Sequence, residues 1–291
     1  MSSHIDQEKI IENFDWSQLS LENLNLLKSK ISKTISIKRR ELFLTNNANI
    51  NLVDWYKASL AKVYPHSLRS SLFNYDKCVF GISLGSKNFT DTKRIEACIK
   101  WISENFKTCL VLVTDSIYRL TMEVRQGIEG DEAWLEAIRT GEEFVNENGL
   151  LFEEYSESCQ FELKRTSEIL KRSDFSIYYE ELQNLYQKNQ SFQSMVNSFA
   201  EAYLNRGELI EAEQVEELRQ KHLAITYLFE ESAINACLVK EGWQVFVYPG
   251  SIKTFEEISE GLYPEVPEAL KQMIWVSLRL KKRNARSGNE K

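Results

Sequence analysis

Glycine and proline are scarce, at 11 and 4 of 291 residues. A fold of many short strands joined by tight turns needs more of both, so an all-β sandwich or barrel is excluded and helices should dominate. Histidine occurs only at positions 4, 66 and 222. The 5 cysteines (Cys78, Cys98, Cys109, Cys159 and Cys237) are odd in number and hold no CxxC pair. That argues against a disulfide framework or structural zinc and for reduced, buried thiols in a cytoplasmic protein. No apolar run approaches the roughly 20 residues of a membrane span. The opening MSSHIDQEKIIENFDW lacks the basic-then-apolar order of a signal peptide. Excess positive charge is missing too: 36 Lys and Arg against 43 Asp and Glu leave a net charge of −7. A globally basic nucleic-acid binder is thereby excluded, but a local basic patch is not, since fields act over a Debye length of roughly 8 Å. There is no P-loop, internal repeat or cluster at metal-ligand spacing.

What is present reads as α/β. Leu19, Leu21, Leu24, Leu27, Ile31 and Ile35 recur near helical spacing and mark residues 1–50 as a helical extension, closed by the polar run TNNANIN. A short helix is expected over 52–63, ending before Pro65. Strands are expected at 77–83 (KCVFGIS) and 108–114 (TCLVLVT), with a helix between them capped by Thr90 or Asp91. Strand, helix, strand at this spacing is a βαβ unit with parallel strands and a right-handed crossover. Helices follow near 116–127, 131–147, 152–172, 176–204 and 208–237, with strands at 244–248 and 273–280. The expected fold is a Rossmann-like parallel sheet with flanking helices and a helical region, spanning 51–282, followed by a flexible basic tail at 283–291.

Three constellations carry possible chemistry. Gly81-Ile-Ser83-Leu-Gly85 ends the first predicted strand, the edge where open α/β sheets bind ligands, and it matches the G-x-S-x-G nucleophile elbow. The helix beginning near Asp91 would direct N–H groups to the same region, where an oxyanion could be held. The alternative is a plain strand-to-helix loop. Tyr227 and Glu231 stand at i and i+4 on one helix face with Ala224 and Leu228. A phenol and a carboxylate on an apolar face could clamp an ammonium group; equally, Glu231 could meet a surface lysine. Glu230 is turned about 100° away and is expected to be solvated. Tyr248, at the end of the third predicted strand, faces either the Ser83 crevice or the core. A serine hydrolase with Ser83 as nucleophile needs an acid and then a histidine downstream. His222 is the only downstream histidine and falls inside a predicted helix, so that reading is disfavoured.

Together, Gly81 and Ser83, the Tyr227–Glu231 pair and Tyr248 resemble the signature of the cyclodipeptide synthases, with the branch marked by Ser86 and Pro249 resembling the XYP type. The resemblance covers roughly 72–282. It implies a Rossmann fold similar to the catalytic domain of class I aminoacyl-tRNA synthetases, no cofactor or metal, a monomer, and two aminoacyl-tRNAs as substrates. The absence of HIGH and KMSKS signatures agrees with substrates that are already activated esters. In this scheme Ser83 takes the first aminoacyl group, and Tyr227 and Glu231 hold its α-ammonium. Tyr248 and the backbone at Gly81 orient Ser83 and the oxyanion. A dipeptidyl-enzyme then closes to a 2,5-diketopiperazine. In the other branch an Asn at the position of Ser86 fixes the active-site loop, so here that support must come from elsewhere. Val79 and Val111 are expected as walls of the first amino-acid pocket. Lys164, Arg165, Lys171 and Arg172, in one sector about 120° wide of the 152–172 helix, are the expected tRNA contacts, although Glu168 shares that sector. The basic residues near the end, Lys281, Lys282, Arg283 and Arg286, are a second possibility. A non-catalytic tRNA-binding relative is the remaining alternative.

Overall fold

A computed structural model describes residues 55–205 and 214–283, together with residues 19, 20, 23, 24, 27, 30, 34 and 38. Backbone contacts divide the chain into two units, Met1–Val53 and Asp54–Lys291. In the first, residues 23, 24, 27, 30, 34 and 38 are helical, and Ser20 Oγ accepts from the Asn23 N–H at 3.3 Å in the manner of an N-cap. The basic tail from 284 on, Arg286 included, lies outside the described residues.

The second unit is built on one six-stranded sheet in the order β1-β6-β5-β2-β3-β4. Its strands are β1 (Trp55–Tyr64), β2 (Lys77–Ile82), β3 (Thr108–Val113), β4 (Gln160–Arg165), β5 (Val245–Pro249) and β6 (Ile274–Arg283). All neighbours run parallel except β1 with β6. The expected βαβ unit is present as β2, α1 (Thr92–Ser103) and β3. After their first residues, Lys77 and Thr108, both strands are apolar because helices cover both faces. Asp91 caps α1, its side chain accepting from the Lys93 N–H at 3.0 Å, so this helix end is already occupied by a carboxylate and is not left open for an oxyanion.

Alternate residues of each strand feed two cores. Val79, Leu110, Leu112 and Phe246 pack on one face beneath α2 (Asp115–Gln126), α5 (Ser173–Lys188), α6 (Gln190–Leu204) and α7 (Gln214–Lys240). Phe80, Ile82, Cys109 and Val111 pack on the other beneath α1 and α3 (Gly130–Glu153). From Leu228 to Val239, α7 is buried on almost every side, apart from half-exposed Glu231, and forms the central post of the helical layer.

Several expectations are overturned. The helix expected over 52–63 is β1: Tyr56, Ala58 and Leu60 alternate, a bulge at Leu60/Lys62 shifts the register, and Val63 continues the buried face. Pairing with β6 overrides the helical propensity of its Lys and Ala residues. The helices expected over 131–147 and 152–172 become the single helix α3, which runs through Gly149, then edge strand β4 and the short helix α4 (Thr166–Ile169). The helix over 176–204 is broken at Asn189, whose side chain caps α6 by accepting from Phe192 N–H at 2.9 Å.

Candidate active site

Strand β2 lies between β3 and β5, parallel to both, so that the chain leaves β2 on one side and returns on the other, the switch point at which open α/β sheets form a crevice. Ser83 stands at its mouth, immediately after β2. The loop that follows turns at Gly85, whose φ of 76° and close approach to the Tyr118 ring (a Cβ there would lie 2.7 Å from it) admit only glycine. Tyr248 enters from β5; its ring lies beside Gly81, where an added Cβ would come within 4.0 Å. Phe89 and Trp275 hold that ring, with centroids 5.9 and 6.1 Å away.

Helix α7 supplies the opposite wall. Glu231, Ile234 and Asn235 line a small, partly open cavity together with Val79, Gly81, Ser83, Leu112, Thr114, Phe246 and Tyr248. Its volume of about 30 Å³ holds roughly one water. Tyr227, one turn before Glu231, forms a three-ring cluster with Tyr203, tilted at 5.0 Å, and Phe199, stacked at 6.2 Å, which also contact each other at 6.0 Å. Burial pushes the Tyr227 phenol well above its ordinary pKa of 10.0, and Glu231, Tyr203 and Tyr248 push it the same way, while the Ser83 hydroxyl in polar contact with it pulls back. Tyr227 is therefore a neutral hydrogen-bonding group at any working pH, not a phenolate base. Phe199 also walls a second, open groove of about 690 Å³, bounded by Met195, Ile252, Lys253 and Tyr263.

The cavity floor is braced by buried polar groups. Thr114 Oγ1 donates to the Ile82 carbonyl at 2.9 Å. Asp115, fully buried, accepts from Thr166 Oγ1 at 3.0 Å, from the Ser167 N–H at 2.9 Å and from Ser167 Oγ at 2.6 Å, joining the ends of β3 and β4. Gly141 on α3 lets this happen, because a Cβ there would lie 2.5 Å from that of Asp115.

Ser83, Glu231, Tyr248, Gly81 and Val79 thus meet at one cavity with Tyr227 at its edge. Ser86 sits in the loop beyond Ser83, its N–H donating to the Ser83 carbonyl at 3.2 Å, and Pro249 ends β5. Val111 does not belong to this group. Register places it beside Phe80 on the opposite face of the sheet, and Leu112 takes the expected position. Lys164, Arg165, Lys171 and Arg172 do not share a helix face: the first two end β4 and the others lie in the turn before α5. Arg165 bonds Glu142 at 3.1 Å and lies 3.5 Å from Glu168. Arg172 pairs with Asp174 and Glu241, Lys164 lies 3.8 Å from Glu241, and Lys171 is exposed. Glu230 is not solvated: it is buried and bonded bidentately by Arg119 at 2.5 and 2.8 Å. Sequence reasoning missed Thr114, Thr166, Leu112 and Asn235; for Asn235 the signal was available, since it continues the i, i+4 series of Tyr227 and Glu231.

Among the described residues a hydrolytic triad finds no histidine in this geometry: His222 is exposed on α7 and His66 bonds Glu260 at 2.7 Å, while His4 lies outside the described residues. No non-glycine among the described residues has a positive φ, so Ser83 does not sit on a strained elbow. Among the described residues, no group of three or more His, Cys, Asp or Glu could hold a metal ion, and no helix is long and apolar enough to cross a membrane.

The sequence model of the cyclodipeptide synthase family matches residues 66–234, more than half of the chain. The chain belongs to the cyclodipeptide synthase family. Its fold is similar to that of a Fluoribacter dumoffii cyclodipeptide synthase (TM-score 0.66, 23% identity, covering 79% of this chain and 100% of the other). It is also similar to a synthase from Candidatus Glomeribacter gigasporarum, solved bound to Phe-tRNAPhe (TM-score 0.57, 17% identity, 77% of this chain and 94% of the other). A third similar structure, from Mycobacterium tuberculosis, relates cyclodipeptide synthetases to type I tRNA synthetases (TM-score 0.56, 12% identity, 78% and 94%). No curated protein matches the chain. The fold of this synthase is a Rossmann-like sheet flanked by helices.

Proposed function

We propose that this synthase joins the amino acids of two aminoacyl-tRNAs into a cyclic dipeptide through covalent intermediates on Ser83. The observation that carries this reading is the meeting of Ser83, Tyr248 and Glu231 at one cavity, with the Tyr227 phenol in contact with Ser83. Ser83 Oγ attacks the first ester carbonyl; the C–O bond to the ribose breaks, and the ribose oxygen leaves with the serine proton. The ester is already activated, so positioning and electrostatics supply the catalysis. Glu231 is the counter-charge of the bound α-ammonium and Tyr227 its neutral hydrogen-bonding partner; Gly81 leaves room for substrate beside Tyr248. Once Glu231 takes its proton, the amine attacks the second ester, giving a dipeptidyl-Ser83 and free tRNA. The new terminal amine then attacks the Ser83 ester, closing the ring and returning the serine hydroxyl. The open groove beside Phe199 has the room for the second aminoacyl group.

For the tRNA backbone, Lys164, Arg165, Lys171 and Arg172 remain the proposed contacts, at the β4 edge. A phosphate there displaces carboxylates already paired with Arg165 and Arg172, so the contact should be weaker than four free cations would give. Charge reversal at Lys164 and Arg165 should flatten the salt dependence of tRNA binding; an unaltered slope removes these residues from the interface.

The test is mass spectrometry of medium from a bacterium expressing the chain. A diketopiperazine that disappears with Ser83→Ala is the expected result. Salt-sensitive tRNA binding without product would instead mark a non-catalytic relative, and product surviving Ser83→Ala would overturn the covalent route.

A further inference from the structure

The hydrogen-bonded ladder between β2 and β5 pairs Cys78 with Val245, Val79 with Phe246 and Phe80 with Val247, and ends there. Ser83 and Tyr248 both lie beyond its last pair, so the strands themselves do not fix their separation. A side-chain hydrogen bond crosses the gap, beside the Phe89–Tyr248 ring contact. Asn88, in the loop after Ser83, donates from Nδ2 to the Pro249 carbonyl at 2.7 Å. Its Oδ1 accepts from Arg94 Nη2. Arginine only donates, so the amide has a single orientation, NH2 toward Pro249. Arg94 is held in turn: its guanidinium lies 5.0 Å from the Tyr56 ring of β1, and its buried Nε has no partner that would draw it elsewhere. At the other end, the Asn88 N–H reaches Ser86 Oγ at 3.3 Å, and Ser86 N–H bonds back to the Ser83 carbonyl.

We propose that Asn88 is a positioning residue for the Ser83 reaction, a bridge that carries the β2–β5 pairing past the end of its ladder and sets the Ser83 loop against Tyr248. The inference rests on the Ser83 chemistry proposed above. It also adds to the loop support that Ser86 gives through its bond from the Asn88 N–H.

Two variants and two readouts test it. Asn88→Asp keeps the size and the bond from Arg94 but turns an oxygen toward the Pro249 carbonyl; Asn88→Ala removes both bonds. For Asn88→Asp the expected result is a kcat lowered about tenfold or more, with KM and Tm near those of the parent. Parental kcat, or a loss that follows KM or Tm, overturns the inference. Amide hydrogen exchange at Ser86 and Phe89, whose N–H groups close the loop, should quicken in both variants relative to the amides of β2. Unchanged exchange likewise overturns it. If the parent makes no cyclic dipeptide, the Ser83 reading falls, and the exchange measurement alone decides the bridge.

Discussion

Glu231→Gln keeps the shape of the side chain and removes its charge. Glu231 lines a small cavity of about 30 Å³ whose other walls include the apolar side chains of Val79, Leu112, Ile234 and Phe246. A bound α-ammonium about 4 Å from the carboxylate would interact with it by about 4 kcal/mol at an effective dielectric constant of about 20. At about 1.4 kcal/mol per factor of ten, the substitution should slow acylation about a thousandfold. The assay is intact-protein mass spectrometry of Ser83 loading at short times, with purified charged tRNA. The neighbouring Glu230→Gln is the control, since Glu230 faces Arg119 and not the cavity; it should lower stability and leave the loading rate of folded enzyme near the parent's. Loading by Glu231→Gln within about tenfold of the parent would refute the ammonium-clamp assignment.

Arg119→Met strands the buried Glu230 carboxylate and removes the guanidinium from the face of Trp134, 5.5 Å away. A cost of about 3 kcal/mol, or a fall of about 10 °C in Tm, is expected by thermal scanning, and a shift of only a degree or two would show that the pair is dispensable. Leu112→Ala should alter which amino acids enter the product. Val111→Ala, on the far face of the sheet, should cost about 2 kcal/mol in denaturant unfolding and leave the product spectrum unchanged; the reverse pattern would contradict the register. Burial pushes the Cys98, Cys159 and Cys237 thiols up to about 12. The native protein at pH 8 should therefore react slowly with disulfide reagents, and rapid native labelling at these positions would refute it. The stability gained by keeping these thiols protonated is complete below the ordinary value of 9.0 and is lost as pH rises toward 12.

The β2–α1–β3 unit was legible because two apolar runs flank an amphipathic stretch with a capping Asp91, all local signals. Strand β1 was not, because its partner β6 lies at the other end of the chain and its Lys and Ala residues suit a helix. Strand β4 was hidden by charge: as an edge strand it buries only partly, so Gln160, Glu162 and Lys164 interrupt what Phe161 and Leu163 signal. The motif residues Ser83, Tyr227, Glu231 and Tyr248 were found as a set, whereas the placing of Val111 required the parity of the strand, which a one-residue uncertainty reverses. Glu230 was misjudged because its partner Arg119 is distant in sequence, and no helical wheel includes it. The same holds for Glu142 beside Arg165 and Glu241 beside Arg172.

The antiparallel edge has a consequence for how the chain assembles. Trp55 pairs with Arg283, and the ladder runs back to Tyr64 opposite Trp275. During synthesis β1 emerges early and waits for nearly the whole domain before β6, its strand partner among the described residues, appears, so loop entropy slows the closing of this seam. Ribosome-bound chains ending before Ile274 would hold the β2–β3 centre without its outer margin. A fluorophore pair across Trp55 and Arg283 would time the zipping of that seam against the folding of the interior.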